Sequence, residues 1–205
     1  DKNITLHQHG NINFISNPSF SGNVEEFRNV HGRGASAIGF LVEDRMAAYA
    51  QLLALGAEPA DSINYEIPAI KGIGKSLIYI VDKEAEVALF SSFQTEAKPD
   101  NHLDNCLVEI DHLTHNLYPG GIEKYKQFYA KYFGFCSVRS FDIEGKKTGL
   151  YSEVVASPCG RIIIPLNETK DDKSQIAEYL KEYNGEGIQH IALRSTDLIK
   201  TVSTL

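Results

Sequence analysis

The sequence predicts an α+β protein made of two related domains, each assembled from βαβββ units, with both ends of the pattern incomplete. Three observations predict it. The stretch "GRGASAIGFLVED" at residues 32–44 is echoed by "GEGIQHIALRSTD" at residues 185–197, with Gly32, Gly34, Ile38 and Asp44 matched by Gly185, Gly187, Ile191 and Asp197. In both copies a Gly-bounded strand runs through an acidic residue into a helix. Between the copies the order is strand, helix, three strands, helix, and a unit of that kind has a face it can bury only against a second unit.

The elements follow in order. "NITLHQHGNINFIS" alternates Ile4, Leu6, Ile12 and Phe14 around Gly10, which predicts a hairpin. "NVEEFRNVHG" predicts a helix with Asn23 as N-cap, Glu26 completing a capping box, Val24, Phe27 and Val30 on one side, and Gly32 as the stop. "SAIGFLVED" is a strand, "RMAAYAQLLALGAEP" a helix ended by Gly56 and Pro59, and "KSLIYIVD" a further strand. Residues 83–107 turn polar and irregular around "TEAKPDNHLDN" and predict a linker, placing an N-terminal domain at 1–107 and a C-terminal domain at 108–205. There, "CLVEIDHLTHNL" predicts a strand. "GGIEKYKQFYAKYFGF" predicts a helix with Ile122, Tyr125, Phe128, Tyr129 and Tyr132 on one face. "SVRSFDI", "GLYSEVVAS" and "GRIIIPL" predict three strands, "KSQIAEYLKEYN" a helix, and "DLIKTVSTL" a helix just begun. The missing initiator Met at Asp1 and the unfinished last helix predict a fragment of a longer chain.

Composition narrows the function. Apolar residues are 42% and charged residues 23% of 205, as in ordinary globular proteins, and the formal net charge of −7 argues against a nucleic-acid partner, which calls for a basic patch. No apolar run is long enough to span a bilayer and no signal peptide opens the chain, so the expectation is a cytoplasmic protein with a small-molecule partner. Cys106, Cys136 and Cys159 have neither even number nor CxxC spacing and read as idle thiols.

Histidine is the informative residue. His190 stands where the first copy has Ala37, and His112 lies on the first strand of the C-terminal domain. Imidazoles at these two positions would meet if the two strands pair, either as ligands of one ion or as unrelated hydrogen-bonded groups. His115 is an odd number of residues from His112, so it faces the other side of the strand and reads as structural. His7, His9, His31 and His102 read as surface residues. "AIKGIGKS" imitates a phosphate loop but has Ala69 in place of the first Gly, and it leads into a strand and not a helix, so nucleotide binding is a poor fit.

Five segments, "IPAIKGIG", "IDHLTHNLY", "FDIEGKKTGLYSEVVASPCG", "IIIPLNE" and "NGEGIQHIAL", together resemble the bacterial 4-hydroxyphenylpyruvate dioxygenases, two-domain members of the vicinal oxygen chelate superfamily with a glyoxalase/dihydroxybiphenyl dioxygenase-like fold. The resemblance implies that His112 and His190 are two ligands of a non-haem Fe(II) and that the third ligand, a glutamate, lies beyond residue 205; Glu186 is not read as its substitute. It implies a substrate pocket of Ser157, Asn167, Gln175 and Gln189 with Pro165 shaping its wall, although Gln189 would face away from His190 on a regular strand. The implied reaction converts 4-hydroxyphenylpyruvate and O2 to homogentisate and CO2, in a homodimer or homotetramer. A hydroxymandelate synthase-like oxygenase and a non-catalytic module of the same fold are the alternatives.

Overall fold

Two copies of one strand order run through the computed structural model of the chain, which describes residues 4–61, 65–93, 106–144 and 149–205. The chain opens with an antiparallel hairpin, β1 (Thr5–His9) and β2 (Ile12–Ser16), followed by α1 (Gly22–His31). Next come β3 (Ala37–Leu41), α2 (Arg45–Ala54), β4 (Pro59–Ala60), β5 (Ala69–Lys71), β6 (Leu77–Val81) and α3 (Lys83–Ser91). The second half contains β7 (Leu107–Leu117), α4 (Gly121–Phe133), β8 (Cys136–Glu144), β9 (Gly149–Ala156), β10 (Ile163–Thr169), α5 (Gln175–Glu182), β11 (Gly187–Ser195) and α6 (Leu198–Thr204).

The first sheet has the order β3-β6-β5-β4, and the second repeats it as β7-β10-β9-β8 with β11 added beside β7. In each unit the first strand runs parallel to the fourth, β3 with β6 and β7 with β10. Each is therefore a βαβββ unit, and β11 opens a further one. The repeat holds at the level of single caps. Asp44 accepts from the Met46 and Ala47 amides at the start of α2, and its counterpart Asp197 accepts from Lys200 at the start of α6.

Several expectations need correction. α1 begins one residue before Asn23, with Ser21 in the N-cap position and no side-chain cap, so Asn23 lies inside the first turn. The stretch read as an irregular linker carries α3. Asp82 caps it through the Ala85 amide, and Ala85 and partly buried Leu89, four residues apart, pack into the cluster of Ile67, Ala69, Leu77 and Tyr79. Residues 94–105, with His102, lie outside the described residues. β4 and β5 were not foreseen.

The larger core belongs to both halves. Phe40, Ile70, Ile78 and Ile80 of the first unit join Leu117, Tyr125, Tyr129, Phe135, Ile164 and Leu166 of the second in one cluster. Phe40 meets the Phe133 ring edge-on at 5.1 Å between centroids. Burying each of these side chains contributes roughly 1.5–3 kcal/mol, which fixes the sheets firmly enough to aim side chains from them.

Candidate metal centre

β7 sorts its histidines by parity. His115 is wholly buried beneath α4, with Nε2 2.7 Å from the Tyr129 hydroxyl. Burial pushes its pKa down to about 3, so it is a neutral core group. His112 and Thr114 point to the opposite face of the sheet, as the spacing predicted.

β11 reaches that face by breaking its own alternation. Ile188 pairs with His115 and is buried with it, whereas His190, two residues on, pairs with Thr114, one residue on. Gln189 is the extra residue of a β-bulge. On a regular strand His190 would share the face of Ile188 and enter the core. The bulge instead puts it beside Thr114, diagonal to His112. For the same reason Gln189 does not turn away from His190, and its Oε1 contacts His190 Nδ1.

The two imidazoles converge through Nε2, 3.3 Å apart, with ring planes at 76°. Two nitrogens about 2.1 Å from one ion at a right angle would be about 3.0 Å apart, so the pair fits adjacent positions around a single cation. The other nitrogen of His112 supports that use. Nδ1 lies 2.7 Å from Asp111 Oδ2, and Asp111 Oδ1 accepts from Arg194 at 3.0 and 3.2 Å. A proton held on Nδ1 by the carboxylate leaves the Nε2 lone pair free for a metal. The hydrogen bond from His112, followed by that from Arg194, holds the Asp111 carboxyl below its usual range. Asp111 sits at a second register shift, where Ala192 pairs with His112 and Leu193 with Ile110. Partial burial, and secondarily the neighbouring His112, lower the pKa of His190, which favours the neutral form that ligates. Thr114 Oγ1 lies 2.9 Å from His190 Nε2. Among the described residues no third His, Cys, Asp or Glu joins the pair as a ligand group.

The residues expected to meet substrate divide in two. Pairing of β10 with β7 and β9 places Asn167 on the face of Asn116 and Ser152, and Pro165 two residues earlier on that same face. Gln189 joins them through the bulge. Ser157 lies in the turn after β9, where its hydroxyl accepts from the Ile162 amide at 3.1 Å and touches Cys159 Sγ. Gln175 opens α5 as an exposed residue. Thr114, Ser152 and the half-exposed Phe141 on β8, paired with Ser152, share the metal face and were not picked out from the sequence.

Comparison with known proteins agrees with this architecture. Residues 1–94 match the family model described as hydroxyphenylpyruvate dioxygenase, HPPD, N-terminal, and residues 109–205 match the glyoxalase/bleomycin resistance protein/dioxygenase superfamily. The chain is 47% identical over 208 residues to 4-hydroxyphenylpyruvate dioxygenase of Legionella pneumophila strain Philadelphia 1 and 43% identical over 212 residues to hemolysin VllY of Vibrio vulnificus. It is 42% identical over 210 residues to 4-hydroxyphenylpyruvate dioxygenase of Pseudomonas aeruginosa. All of this chain is covered in each case, and it spans 59% of each relative. A 4-hydroxymandelate synthase variant from Streptomyces coelicolor shares the fold with a TM-score of 0.74 at 20% identity, over 98% of this chain and 61% of that one. A xylose isomerase-like TIM barrel/4-hydroxyphenylpyruvate dioxygenase fusion protein does so with a TM-score of 0.78 at 24% identity, over 98% of this chain and 32% of that one. With its first half matched by the hydroxyphenylpyruvate dioxygenase N-terminal model, its second by the glyoxalase/dioxygenase superfamily model, and relatives matched along its whole length, the chain is similar to 4-hydroxyphenylpyruvate dioxygenases over the 59% of their length that it spans.

Proposed function

We propose that this chain supplies two of the metal ligands and part of the substrate wall of an Fe(II)-dependent oxygenase that converts 4-hydroxyphenylpyruvate and O2 to homogentisate and CO2. The observation that carries the reading is the 3.3 Å approach of His112 Nε2 and His190 Nε2, with Asp111 on the far nitrogen of His112. In this reading residues 108–205 carry the chemistry and residues 1–107 the supporting half, and a glutamate outside residues 1–205 completes a 2-His-1-carboxylate set. When bound, Fe(II) would supply open coordination positions for a chelating 2-oxo acid and for O2, and would relay electrons from the substrate to O2 without net change of its own.

The protein's own part is orientation. Asp111 keeps the His112 proton on Nδ1, so the ligand nitrogen is unprotonated. Thr114 lends its hydroxyl to His190 Nε2 when no cation is bound and yields it when one is. Pro165 and Phe141 offer apolar wall to an aromatic ring, while the amides of Asn167 and Gln189 fix its polar groups. Ser157 and Gln175, whose polar groups serve the β9–β10 turn and the surface, are given no contact with the ring. Both atoms of O2 are kept in the products, one carbon leaves as CO2, and the reaction balances without a further reductant. The protein is read as a cytoplasmic homodimer or homotetramer.

The test is oxygen uptake by the full-length protein with Fe(II) and 4-hydroxyphenylpyruvate, with products identified. Homogentisate formation abolished by His190→Ala supports the reading. 4-Hydroxymandelate as product would replace it with the sister oxygenase, and uptake unaffected by His190→Ala would overturn the assigned centre.

A further inference from the structure

The glycine motif that imitated a phosphate loop has a different task. Between β5 and β6 the chain turns through Gly72–Ser76, with Ile73 buried in the shared core and Gly74 and Lys75 both left-handed at φ 46° and 58°. The turn closes on itself through Gly72 N to Ser76 O and Ser76 N to Ile73 O, both 2.8 Å. It presses on the segment that opens β11. A Cβ on Gly74 would stand 1.9 Å from the Glu186 carbonyl oxygen, a backbone atom with nowhere to go. Only glycine meets both the contact and the backbone angle.

That segment is held from other sides as well. The Glu186 side chain is 13% exposed. Its Oε1 accepts from the Tyr118 amide at 3.1 Å, and its Oε2 accepts from the Tyr125 hydroxyl at 3.1 Å and from Lys124 Nζ at 3.3 Å, all at the start of α4. His31, at the end of α1, donates from Nδ1 to the Tyr183 carbonyl at 2.8 Å and stacks on the Tyr183 ring, and that ring leaves no room for a side chain at Gly187. Residues 185–187 are therefore fixed by both halves of the protein, immediately before Ile188 and the bulge at Gln189.

We propose that the Gly72–Lys75 turn and the Glu186 carboxylate form a clamp on the start of β11 that sets the bulge and so turns His190 toward His112, making Gly74 and Glu186 positioning residues of the metal centre. The inference rests on the metal reading above for its consequence, and on the strand geometry for its cause. A strand gripped at Glu186, three residues before the bulged Gln189, has no slack with which to slip back into regular register, whereas an ungripped one could return His190 to the core face.

The experiment uses the full-length protein and Co(II), followed by its visible absorption, together with the His190 imidazole nitrogen resonances of the metal-free protein at fixed pH. Glu186→Ala is expected to weaken Co(II) by about 10–100-fold, the range typical of residues that orient ligands, and to move the His190 resonances. Glu186→Gln, which keeps an acceptor for the Tyr118 amide, is expected to recover most of both. Gly74→Ala should act like Glu186→Ala, and Glu186→Ala carries the test if Gly74→Ala does not fold. Leu89→Ala, in the other core cluster, controls for lost stability alone and should leave both readouts at wild-type values. Wild-type values in Glu186→Ala, or a change no larger than that of Leu89→Ala, overturn the clamp. If the wild type binds no Co(II), or binds it equally after His190→Ala, the metal reading fails, and the resonances of the metal-free variants decide the clamp alone.

Discussion

His112 Nε2 and His190 Nε2 stand 3.3 Å apart across the antiparallel pair β7 and β11, close enough to share one proton or one cation. Neither has its lone pair committed to the backbone. Removing either as Ala should cost more than about 100-fold in divalent-metal affinity, since losing a ligand exceeds the loss of a residue that only orients one. Calorimetric titration with Co(II) or Zn2+ checks this, and a loss confined to one of the two variants would dissolve the pair.

Asp111→Asn should be milder. The amide still accepts a hydrogen bond but no longer favours the proton on His112 Nδ1, and Arg194 keeps only Glu109 as a carboxylate partner. Metal affinity should fall about 10–100-fold with the fold retained. A wild-type affinity in Asp111→Asn would show that the tautomer is set elsewhere.

Deleting Gln189 offers an unusual contrast. With the bulged residue gone, His190 follows Ile188 directly and falls opposite Thr114 in ordinary alternation, still on the metal face. The deletion should therefore fold and bind metal far better than His190→Ala, having lost only the amide at His190 Nδ1. Equal loss in the two variants would mean that the bulge does more than rephase the strand.

His115 predicts how the fold responds to acid. Its native pKa is lowered to about 3 against an ordinary 6.5, so between those values the unfolded chain binds a proton that the native one refuses. Its contribution is intact above pH 6.5 and lost as pH falls, by about 1.4 kcal/mol per pH unit. Urea unfolding of His115→Phe should show a shallower pH dependence over that window, and an NMR titration of His115 with a midpoint near 6.5 would refute the assignment.

Asp44→Ala should lower stability by about 1 kcal/mol, because the Met46 and Ala47 amides lose their common acceptor. Urea unfolding monitored by circular dichroism measures it directly, and no change in midpoint would show that water replaces the cap.

What could be read from the sequence was what alternation and capping encode. The parity of His112 and His115, the caps at Asp44 and Asp197 and the closing glycines all express local rules, and each element they mark is present. What could not be read depends on pairing. β4 and β5 are two and three residues long, β5 held by β6 and β4 by β5, so no alternation reveals them. α3 gathers its charges at Lys83, Glu84 and Glu86 and most of its apolar residues in one run, 87–90, so no one-sided stripe separates it from the polar stretch beside it. The bulge at Gln189 leaves no trace in composition, and assuming a regular strand put Gln189 and His190 on opposite faces. Ser157 came from the resemblance alone, and the place of Ser152 opposite Asn167 becomes visible only once β9 and β10 are paired.

β7 lies between two partners, β10 and β11, that are both synthesised after it. During translation its amides and carbonyls on that side remain an open edge, able to pair with any passing strand, until β11 docks. The two imidazoles thus meet only once β11 has docked, and a metal ion that needs both can reward only that docked state.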